Sequence, residues 1–452
     1  MGNLFGTNGV RGEINRDLTL ETLCLVAKSS AKFLGKRIAV GRDARTSSPM
    51  IRDSIVSALL SIGCDVFDMG LVTTPCLQYM TKKLGLDGGL MITASHNPPE
   101  FNGVKVIAAD GVEIPRALEK DVEVLYERGG PPLSDWDKIG RIKEIDVLED
   151  YIDDLILQVN QDLIRDSGIK VVLDTGNGVS SLTAPRAASM IGCSVYTVNT
   201  ELDGHFPGRG SEPTPENLGA LRDLIDSTGS DFGIGFDGDG DRSIIMDEKG
   251  DAVWGDKSLC LIADWYLEKN PGKTIVTPVS SSIGIEKVAE RHNGSVYWTR
   301  VGSVDVSRAM VENNFELGGE ENGGIMYGPF HPVRDGTMVT VLLAQILSEE
   351  KRALSELIEE QPGFYKGKDD IKCPNHVKNE VLGKLVKMVD APRVDSRDGV
   401  KLTYANGDWI LIRPSGTEPK FRIYAESGDI AALDKLIQRH REIVEEIIQG
   451  LA

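Results

Sequence analysis

The sequence predicts an α/β protein with three similar domains, built on mixed and mostly parallel sheets, followed by a C-terminal α+β domain. Three observations support this prediction. The chain has 452 residues, more than one hydrophobic core usually supports. Patterns typical of strands and helices alternate as far as Glu350, which favours parallel strands joined by helices. A strong β-hairpin pattern then replaces this alternation.

The first α/β unit is predicted from short apolar runs that alternate with amphipathic segments. The helices place apolar residues three or four positions apart. Ser48 and Pro49 form a typical pair of N-cap and first helical residue. The expected elements are strand Arg37–Val40, a helix from Ser48 to about Ile62, strand Asp65–Phe67, a helix that begins at Pro75, and strand Leu90–Thr93.

The pattern restarts twice before the final segment. The second unit is expected to contain strands Val171–Asp174, Val195–Val198 and Phe232–Phe236, with a helix that ends near Ile191. The third is expected to contain strands Thr274–Pro278 and Val296–Thr299, with helices after Trp254, at Ile283–His292 and at Gly336–Glu350. The last segment is predicted as hairpin Lys401–Ala405 and Trp409–Arg413 around Asn406-Gly407, strand Phe421–Glu426 and helix Ile430–Ile448.

Three segments are candidate linkers between these units: Gly129–Ser134, Asp247–Asp251 and Gln361–Asp370. They place domain boundaries near residues 148, 252 and 365. The expected domains are therefore 1–148, 149–252, 253–365 and 366–452.

The amino-acid composition limits the kinds of molecule that the protein is expected to bind. The formal net charge is −19, from 50 basic and 69 acidic residues, so neither nucleic acid nor an anionic membrane is an expected partner. Any phosphate site must then be locally basic. Six dispersed cysteines without a C-x-x-C pair indicate buried free thiols in a reducing compartment. Without a long apolar run or a signal-peptide pattern, a cytoplasmic location is expected. The sequence does not indicate an oligomeric state.

The segment Thr93–Pro99 is the first candidate for chemistry. It follows the carboxyl end of a predicted strand, where open α/β sheets place their sites. Ser95 offers a hydroxyl, His96 could orient it or move a proton, and Lys105 is close in sequence. The alternative interpretation is an ordinary turn whose serine hydroxyl caps the next helix.

The loop Asp237–Arg242 carries a more specific pattern. Asp237, Asp239 and Asp241 alternate with glycines, and three such carboxylates can converge on one hard cation. Arg242 could hold an anion that the cation shares. A solvated acidic turn is the alternative. An EF-hand is disfavoured because no helix precedes the loop, and a dinucleotide site because the carboxylates would repel a pyrophosphate.

Gly318–Gly324 is a glycine-rich loop with the acceptors Glu320 and Glu321 and the amide of Asn322. A carboxylate and an amide together can hydrogen-bond vicinal hydroxyls of a sugar. A flexible, solvated turn is the competing interpretation.

The segment Arg413–Pro419 joins two strands of the terminal module. An arginine, two hydroxyls and free backbone N–H groups around a glycine can bind an anion, and Arg422 could add a donor. A surface turn with a structural arginine is the alternative. The chain has no Walker-type nucleotide loop.

Five segments occur in one chain and in the order typical of a known family: Phe5–Gly12, Thr93–Pro98, Asp237–Arg242, Gly319–Gly323 and Arg413–Pro419. The sequence thereby resembles the α-D-phosphohexomutases: phosphoglucomutases, phosphomannomutases and phosphoglucosamine mutases. The resemblance runs from Phe5 to about Ala425 and is closest to archaeal members. It implies four domains around a central cleft, which donate in turn a phosphoserine loop, a metal-binding loop, a sugar-binding loop and a phosphate-binding loop.

The resemblance also assigns roles to matching positions. Ser95 resembles the phosphoserine, whose oxygen would share a Mg²⁺ ion with Asp237, Asp239 and Asp241. The side chains expected to touch the transferring phosphoryl group or to move a proton are Arg11, Arg242, His96 and Lys105. The positions expected to bind substrate are Glu320 and Asn322 for the sugar, and Arg413, Ser415, Gly416, Thr417 and Arg422 for the phosphate that does not react.

The expected activity is interconversion of hexose 1-phosphate and 6-phosphate, with glucosamine, glucose and mannose phosphates as candidate substrates. It would proceed through the phosphoenzyme and a hexose 1,6-bisphosphate, which also serves as activator. Asn322 and Gly324 depart from the serine and histidine that many members carry, which leaves the sugar open. The alternatives are a metal-dependent sugar phosphatase or kinase and a non-catalytic sugar-phosphate sensor.

Overall fold

The computed structural model describes residues 4–6, 8–415 and 418–451. Within these residues the chain forms three mixed sheets and one antiparallel sheet, each from a consecutive part of the sequence. The predicted fold class, three α/β domains and a C-terminal α+β domain, is therefore confirmed. Among the described helices, none combines the length and apolarity needed to cross a membrane.

The first domain holds a six-stranded sheet in the order β1-β5-β4-β2-β3-β6. Its strands are β1 (Val10–Glu13), β2 (Arg37–Arg42), β3 (Asp65–Leu71), β4 (Gly88–Ile92), β5 (Phe101–Ala108) and β6 (Ile142–Glu144). Its helices are α1 (Leu20–Leu34), α2 (Ser48–Ser61), α3 (Thr74–Lys83) and α4 (Arg116–Glu127).

The second and third domains have five and four strands, in the orders β11-β10-β9-β7-β8 and β13-β12-β14-β15. The second comprises α5 (Leu148–Ile156), α6 (Gln161–Ser167), β7 (Lys170–Asp174), α7 (Ala184–Met190), β8 (Ser194–Val198), α8 (Gly219–Thr228), β9 (Phe232–Phe236), β10 (Ser243–Asp247) and β11 (Ala252–Val253). The third comprises α9 (Gly255–Lys269), β12 (Thr274–Pro278), α10 (Gly284–Arg291), β13 (Ser295–Thr299), α11 (Ser303–Asn313), β14 (Leu317–Gly319), β15 (Ile325–Tyr327), α12 (Gly336–Glu350) and α13 (Leu354–Glu359).

The fourth domain is an antiparallel sheet in the order β16-β20-β19-β18-β17. Its buried apolar residues and those of its two helices form a core of their own. The elements are β16 (Tyr365–Lys372), α14 (Lys378–Met388), β17 (Arg393–Asp395), β18 (Val400–Thr403), β19 (Trp409–Pro414), β20 (Lys420–Ser427) and α15 (Ile430–Gln449).

The three α/β domains share one topological unit. A central strand (β2, β7 or β12) has two parallel neighbours in the sheet. The later of these two neighbours in the chain (β4, β9 or β14) is followed by a strand that pairs with it in the antiparallel direction (β5, β10 or β15). The serine turn follows β4, the aspartate loop follows β9 and the glycine-rich loop follows β14. All three candidate loops therefore occupy the same place in this shared unit, at the carboxyl end of the later parallel neighbour of the central strand.

The cores show how the domains are joined. One continuous apolar cluster includes Met80 of the first domain, Ile234 of the second and Leu343 of the third. The fourth domain meets the third through a small cluster around Val279 and Trp409. Polar contacts join the same two domains, among them the buried pair of Lys366 Nζ with Asp256 Oδ2 at 2.5 Å and the bond from Lys401 Nζ to Val279 O at 2.8 Å.

Local predictions need correction at the start of α2 and at one candidate linker. The N-cap of α2 is Ser47 rather than Ser48, and the Ser48 hydroxyl donates to Asp43 Oδ1 at 2.8 Å. The segment Asp247–Asp251 is the tight turn between β10 and β11, whose N–H groups bond the Asp247 carboxylate, and not a linker. The domain boundaries themselves stay a prediction.

Candidate active site

Ser95 lies in a strained turn directly after β4. Its φ of +54° is in the left-handed region, which a serine adopts only at a cost of about 1–3 kcal/mol. The Ser95 N–H donates to Thr93 Oγ1 at 2.8 Å, and the residue is fully buried. The bond to Thr93 thus helps to hold the backbone of the turn.

Arg45 holds this turn in place, a role that no local sequence pattern indicates. Its guanidinium is fully buried beside Asp43, with Nε 3.2 Å from Oδ2. It also donates to four backbone carbonyls of the serine turn and its continuation: Ser95, Asn97, Pro98 and Phe101, at 2.6 to 2.9 Å. One buried cation therefore pairs with four carbonyl groups of a buried loop.

The serine turn and the aspartate loop meet, as predicted. Ser95 Oγ donates to Asp237 Oδ2 at 2.6 Å across 142 positions of sequence. The second domain also holds the turn through Ser211, whose hydroxyl lies within hydrogen-bonding distance of the carbonyls of His96 and Asn97. The contact is thus built from two sheets, through the loops that follow β4 and β9.

The aspartate loop has the geometry of a cation site. Ligand oxygens of Asp237, Asp239 and Asp241 all lie within 4.8 Å of one another, and the three residues are buried. Asp239 Oδ1 and Asp241 Oδ1 have no hydrogen-bond partner. Buried carboxylate oxygens are costly to leave unpaired, so the donor set fits a hard divalent cation.

Burial and mutual repulsion act differently on these carboxyl groups. Burial, with Asp239 and Asp241 nearby, raises the pKa of Asp237 to about 8. Burial would also raise the pKa of Asp239, but the adjacent Lys105 ammonium holds it below its usual value. Three carboxylates in one buried loop therefore require positive charge before all can ionise.

Lys105 supplies part of that charge. It is fully buried, and its Nζ lies 2.7 Å from Asp239 Oδ2 and 2.6 Å from Asp241 Oδ2. Burial would lower the pKa of Lys105, but the two carboxylates raise it above the usual value. The side chain is therefore held as an ammonium.

Arg11 and Arg242, the last residue of the aspartate loop, have unused donors. The Nε groups of both are buried without a partner. Arg11 Nη1 is 3.2 Å from Ala94 O and Asn97 Oδ1, and burial lowers the pKa of Arg11 to about 10. Free guanidinium donors beside a serine hydroxyl are what a transferring phosphoryl group needs.

His96 lies beside the hydroxyl as a neutral ring. Its Nδ1 is 3.3 Å from Ser95 Oγ. Burial lowers its pKa to about 2, and the nearby Arg242 and Arg11 charges add to this effect. A neutral imidazole can accept a proton or orient the hydroxyl.

The glycine-rich loop is tied to the aspartate loop by Arg334, which the sequence reasoning missed. Arg334 Nη1 donates to Glu320 Oε2 at 3.2 Å, and its Nη2 donates to Asp241 Oδ2. Burial raises the pKa of Glu320, and Arg334 opposes that shift. Asn322 Oδ1 accepts the N–H of Gly324 at 3.2 Å, which leaves its side-chain NH₂ for a ligand.

The C-terminal turn lines a separate cavity of about 270 Å³, shared with the first and third domains. Arg413, Ser415 and Arg422 form one wall, and Arg300 of the third domain contributes to another. Arg413 Nε pairs with Asp398 at 2.7 Å. The predicted positions Gly416 and Thr417 lie outside the described residues.

Comparison with known proteins agrees with this architecture. Four family models match: phosphoglucomutase/phosphomannomutase α/β/α domain I at residues 2–131, domain II at 149–250, domain III at 254–365 and the C-terminal domain at 371–443. Together they account for most of the chain.

Curated relatives extend over nearly the whole sequence. A phosphoglucomutase/phosphomannomutase of Thermococcus kodakarensis is 37% identical over 100% of both chains. A phosphoglucosamine/phosphogalactosamine mutase of Sulfurisphaera tokodaii is 39% identical over 98% of this chain and 100% of its own. A phosphopentomutase of T. kodakarensis is 36% identical over 99% and 98%.

Solved structures share the fold. A phosphoglucomutase/phosphomannomutase family protein of Burkholderia thailandensis superposes with a TM-score of 0.87 at 24% identity, covering 97% of each chain. The phosphoglucomutase parafusin of Paramecium gives 0.79 at 21% identity, covering 97% and 94%. With full-length relatives well above 30% identity and all four domain models matched, the chain belongs to the phosphoglucomutase/phosphomannomutase family, the phosphohexomutases.

Proposed function

We propose that the protein interconverts a hexose 1-phosphate and its 6-phosphate through a phosphoserine at Ser95 and a 1,6-bisphosphate intermediate. The observation that carries the proposal is the 2.6 Å contact between Ser95 Oγ and Asp237, in a buried site where two arginine donors lack partners. A hydroxyl so placed can carry a phosphoryl group whose charge the arginines would neutralise.

A divalent cation, Mg²⁺ in this proposal, would be held by Asp237, Asp239, Asp241 and the phosphoserine oxygen, where it would neutralise charge on the transferring group. Lys105 competes for two of these carboxylates, so it acts as a fixed charge that keeps the loop assembled without the cation. Arg11 and Arg242 would bind the phosphoryl oxygens through their free N–H groups.

In the first half-reaction the phosphoryl group leaves Ser95 Oγ and bonds to the free hydroxyl oxygen of the substrate. The hydroxyl proton must go to a nearby base, and Ser95 Oγ must take up a proton as the phosphoryl group leaves it. His96 and Lys105 are the candidates for these transfers. Burial lowers the pKa of His96 to about 2, which makes the ring a weak base, whereas Lys105 is held as an ammonium that can donate a proton. In the second half-reaction the other phosphoryl group of the bisphosphate returns to Ser95. The two half-reactions conserve esterified phosphate.

Two further groups of residues would hold the non-reacting phosphate and the sugar hydroxyls of the substrate. Arg413, Ser415, Gly416, Thr417 and Arg422 are proposed to bind the phosphate that does not react. Glu320 and Asn322 are proposed to bind sugar hydroxyls, in either orientation of the bisphosphate. Movement of the fourth domain, which shares little apolar surface with the others, would close the cavity over the substrate and exclude water.

The direct test is turnover of glucosamine, glucose and mannose 1-phosphates, started with a trace of the matching 1,6-bisphosphate, with kcat/KM compared between sugars. Ribose 1-phosphate belongs in the panel because one relative is a phosphopentomutase. The proposal expects isomerisation without release of phosphate. Stoichiometric release would instead identify a phosphatase, and binding of sugar phosphate without turnover would identify a sensor.

Ser95→Ala provides the matched variant. It should reduce turnover by several orders of magnitude, since the covalent step is lost, while sugar-phosphate binding in the fourth-domain cavity is kept. Near-normal turnover in this variant would remove Ser95 as the nucleophile.

A further inference from the structure

Arg334 lies outside the segments that carry the family resemblance, in the connection between β15 and α12. It is 5% exposed, and its two terminal nitrogens reach different loops. Nη2 pairs with Asp241 of the aspartate loop, and Nη1 donates to Glu320 of the glycine-rich loop at 3.2 Å. One guanidinium therefore bridges the candidate cation site and the candidate sugar site.

Gly324 makes room for this side chain. A Cβ placed at Gly324 would lie 2.3 Å from Arg334 Cδ and 2.9 Å from Cγ, and its next neighbour is Asn322 Oδ1 at 3.3 Å. The backbone of Gly324 does not have a positive φ, so backbone conformation does not require glycine here. The space is needed because Arg334 passes through it.

We propose that Arg334 is a positioning residue that couples cation binding to sugar binding. This inference rests on the proposed function. Asp241 and Glu320 are both buried and share Arg334 as a counter-charge. A cation bound to Asp241 would neutralise part of the negative charge that attracts Arg334. The guanidinium would then pair more strongly with Glu320. Glu320 is then held in place to accept sugar hydroxyls.

A purely structural ion pair predicts a different result. If Arg334 only held the fold together, its loss would weaken cation binding and sugar binding alike. The coupling role predicts opposite directions. Removing a positive charge beside Asp241 favours the cation, whereas Glu320 loses the partner that orients it and keeps it ionised.

The experiment measures the dissociation constants of Mg²⁺ and of 1-deoxyglucose 6-phosphate by calorimetry, each with and without the other. This sugar phosphate lacks a C1 hydroxyl and cannot accept a phosphoryl group. In the wild-type protein, each ligand should tighten the other by about fivefold or more, and by the same factor. In Arg334→Gln, the sugar phosphate should bind about tenfold more weakly, Mg²⁺ equally or more tightly, and the coupling factor should approach one.

Gly324→Ala should reproduce these effects, since the added methyl group displaces Arg334. Because both variants act through one side chain, the double variant should show much less than the sum of the two single effects. Gly363→Ala is the control, because a Cβ there meets nothing within 4 Å, and it should leave all constants unchanged.

The outcomes distinguish failure of the proposed function from failure of the proposed role of Arg334. A wild-type protein that binds neither Mg²⁺ nor sugar phosphate would reject the proposed function. A wild-type protein that binds both, with Arg334→Gln weakening both equally or leaving the coupling factor intact, would reject the role of Arg334 alone. Additive effects of the two substitutions would likewise overturn it.

Discussion

Arg45 is the residue whose replacement tests most directly how the serine turn is held. Arg45→Met keeps much of the side-chain volume but removes the charge and every guanidinium donor. The Asp43 carboxylate would be left buried without its ionic partner, and four carbonyl groups would lose a guanidinium donor. The carbonyls of Asn97 and Pro98 would each keep one other donor. Breaking a buried pair from one side costs about 3–5 kcal/mol.

This cost is a large fraction of the stability of an ordinary domain, about 5–15 kcal/mol. We therefore expect Arg45→Met to lower the free energy of unfolding of the first domain by about 3–5 kcal/mol. We also expect the left-handed conformation of Ser95 to be lost, because its strain is maintained by the surrounding bonds. Phosphorylation of Ser95 by hexose 1,6-bisphosphate should then fall sharply.

Hydrogen exchange measured by mass spectrometry on peptides that span residues 93–101 reports the turn, and urea unfolding followed by circular dichroism reports stability. The matched control is the double variant Asp43→Asn with Arg45→Met. It also removes the unpaired negative charge of Asp43 and should recover part of the lost stability. Its serine turn should still exchange rapidly. Unchanged exchange in this peptide together with an unchanged urea midpoint in Arg45→Met would refute the reasoning.

Three further predictions concern the metal, the substrate phosphate and the interface of the fourth domain. Excess EDTA should abolish turnover and Mg²⁺ should restore it; full turnover in metal-free protein would count against the aspartate loop as the cation site. Arg413→Ala should raise KM for sugar phosphate at least tenfold with a smaller change in kcat, and an unchanged KM would contradict a phosphate-binding role. Burial lowers the pKa of Lys401 to about 7, against the opposing effect of Glu426. Since the unfolded lysine binds its proton up to about pH 10, stability should rise from pH 7 to 9 by up to about 1.4 kcal/mol per unit. Lys401→Met should reduce this dependence of the free energy of unfolding on pH, measured by urea unfolding, and the exposed control Lys372→Met should not. If the wild-type protein and Lys401→Met showed the same dependence on pH, Lys401 would not be its source.

The chain order of elements could be predicted from local patterns. Strands Phe232–Phe236 and Thr274–Pro278 and helix Gly336–Glu350 have the bounds expected from their apolar periodicity. Such patterns are local, and they sufficed here because these segments are apolar over most of their length. Every residue of Phe232–Phe236 is buried, and so is almost all of Gly336–Glu350. Strands as short as Leu317–Gly319 were missed, because three residues show no periodicity.

The sequence by itself determined which chemical groups are available: a serine in a tight turn, three alternating aspartates, and the glycine-rich and C-terminal loops. The resemblance also implied that Ser95 and the aspartates meet. Only the tertiary structure decided that Ser95 Oγ bonds Asp237 directly, that Lys105 is buried between Asp239 and Asp241, and that Arg45 and Arg334 support the site. The physical reason is distance in sequence. These partners are joined by the packing of separate sheets, and an isolated arginine carries no local signal of the carbonyls or carboxylates that it will meet.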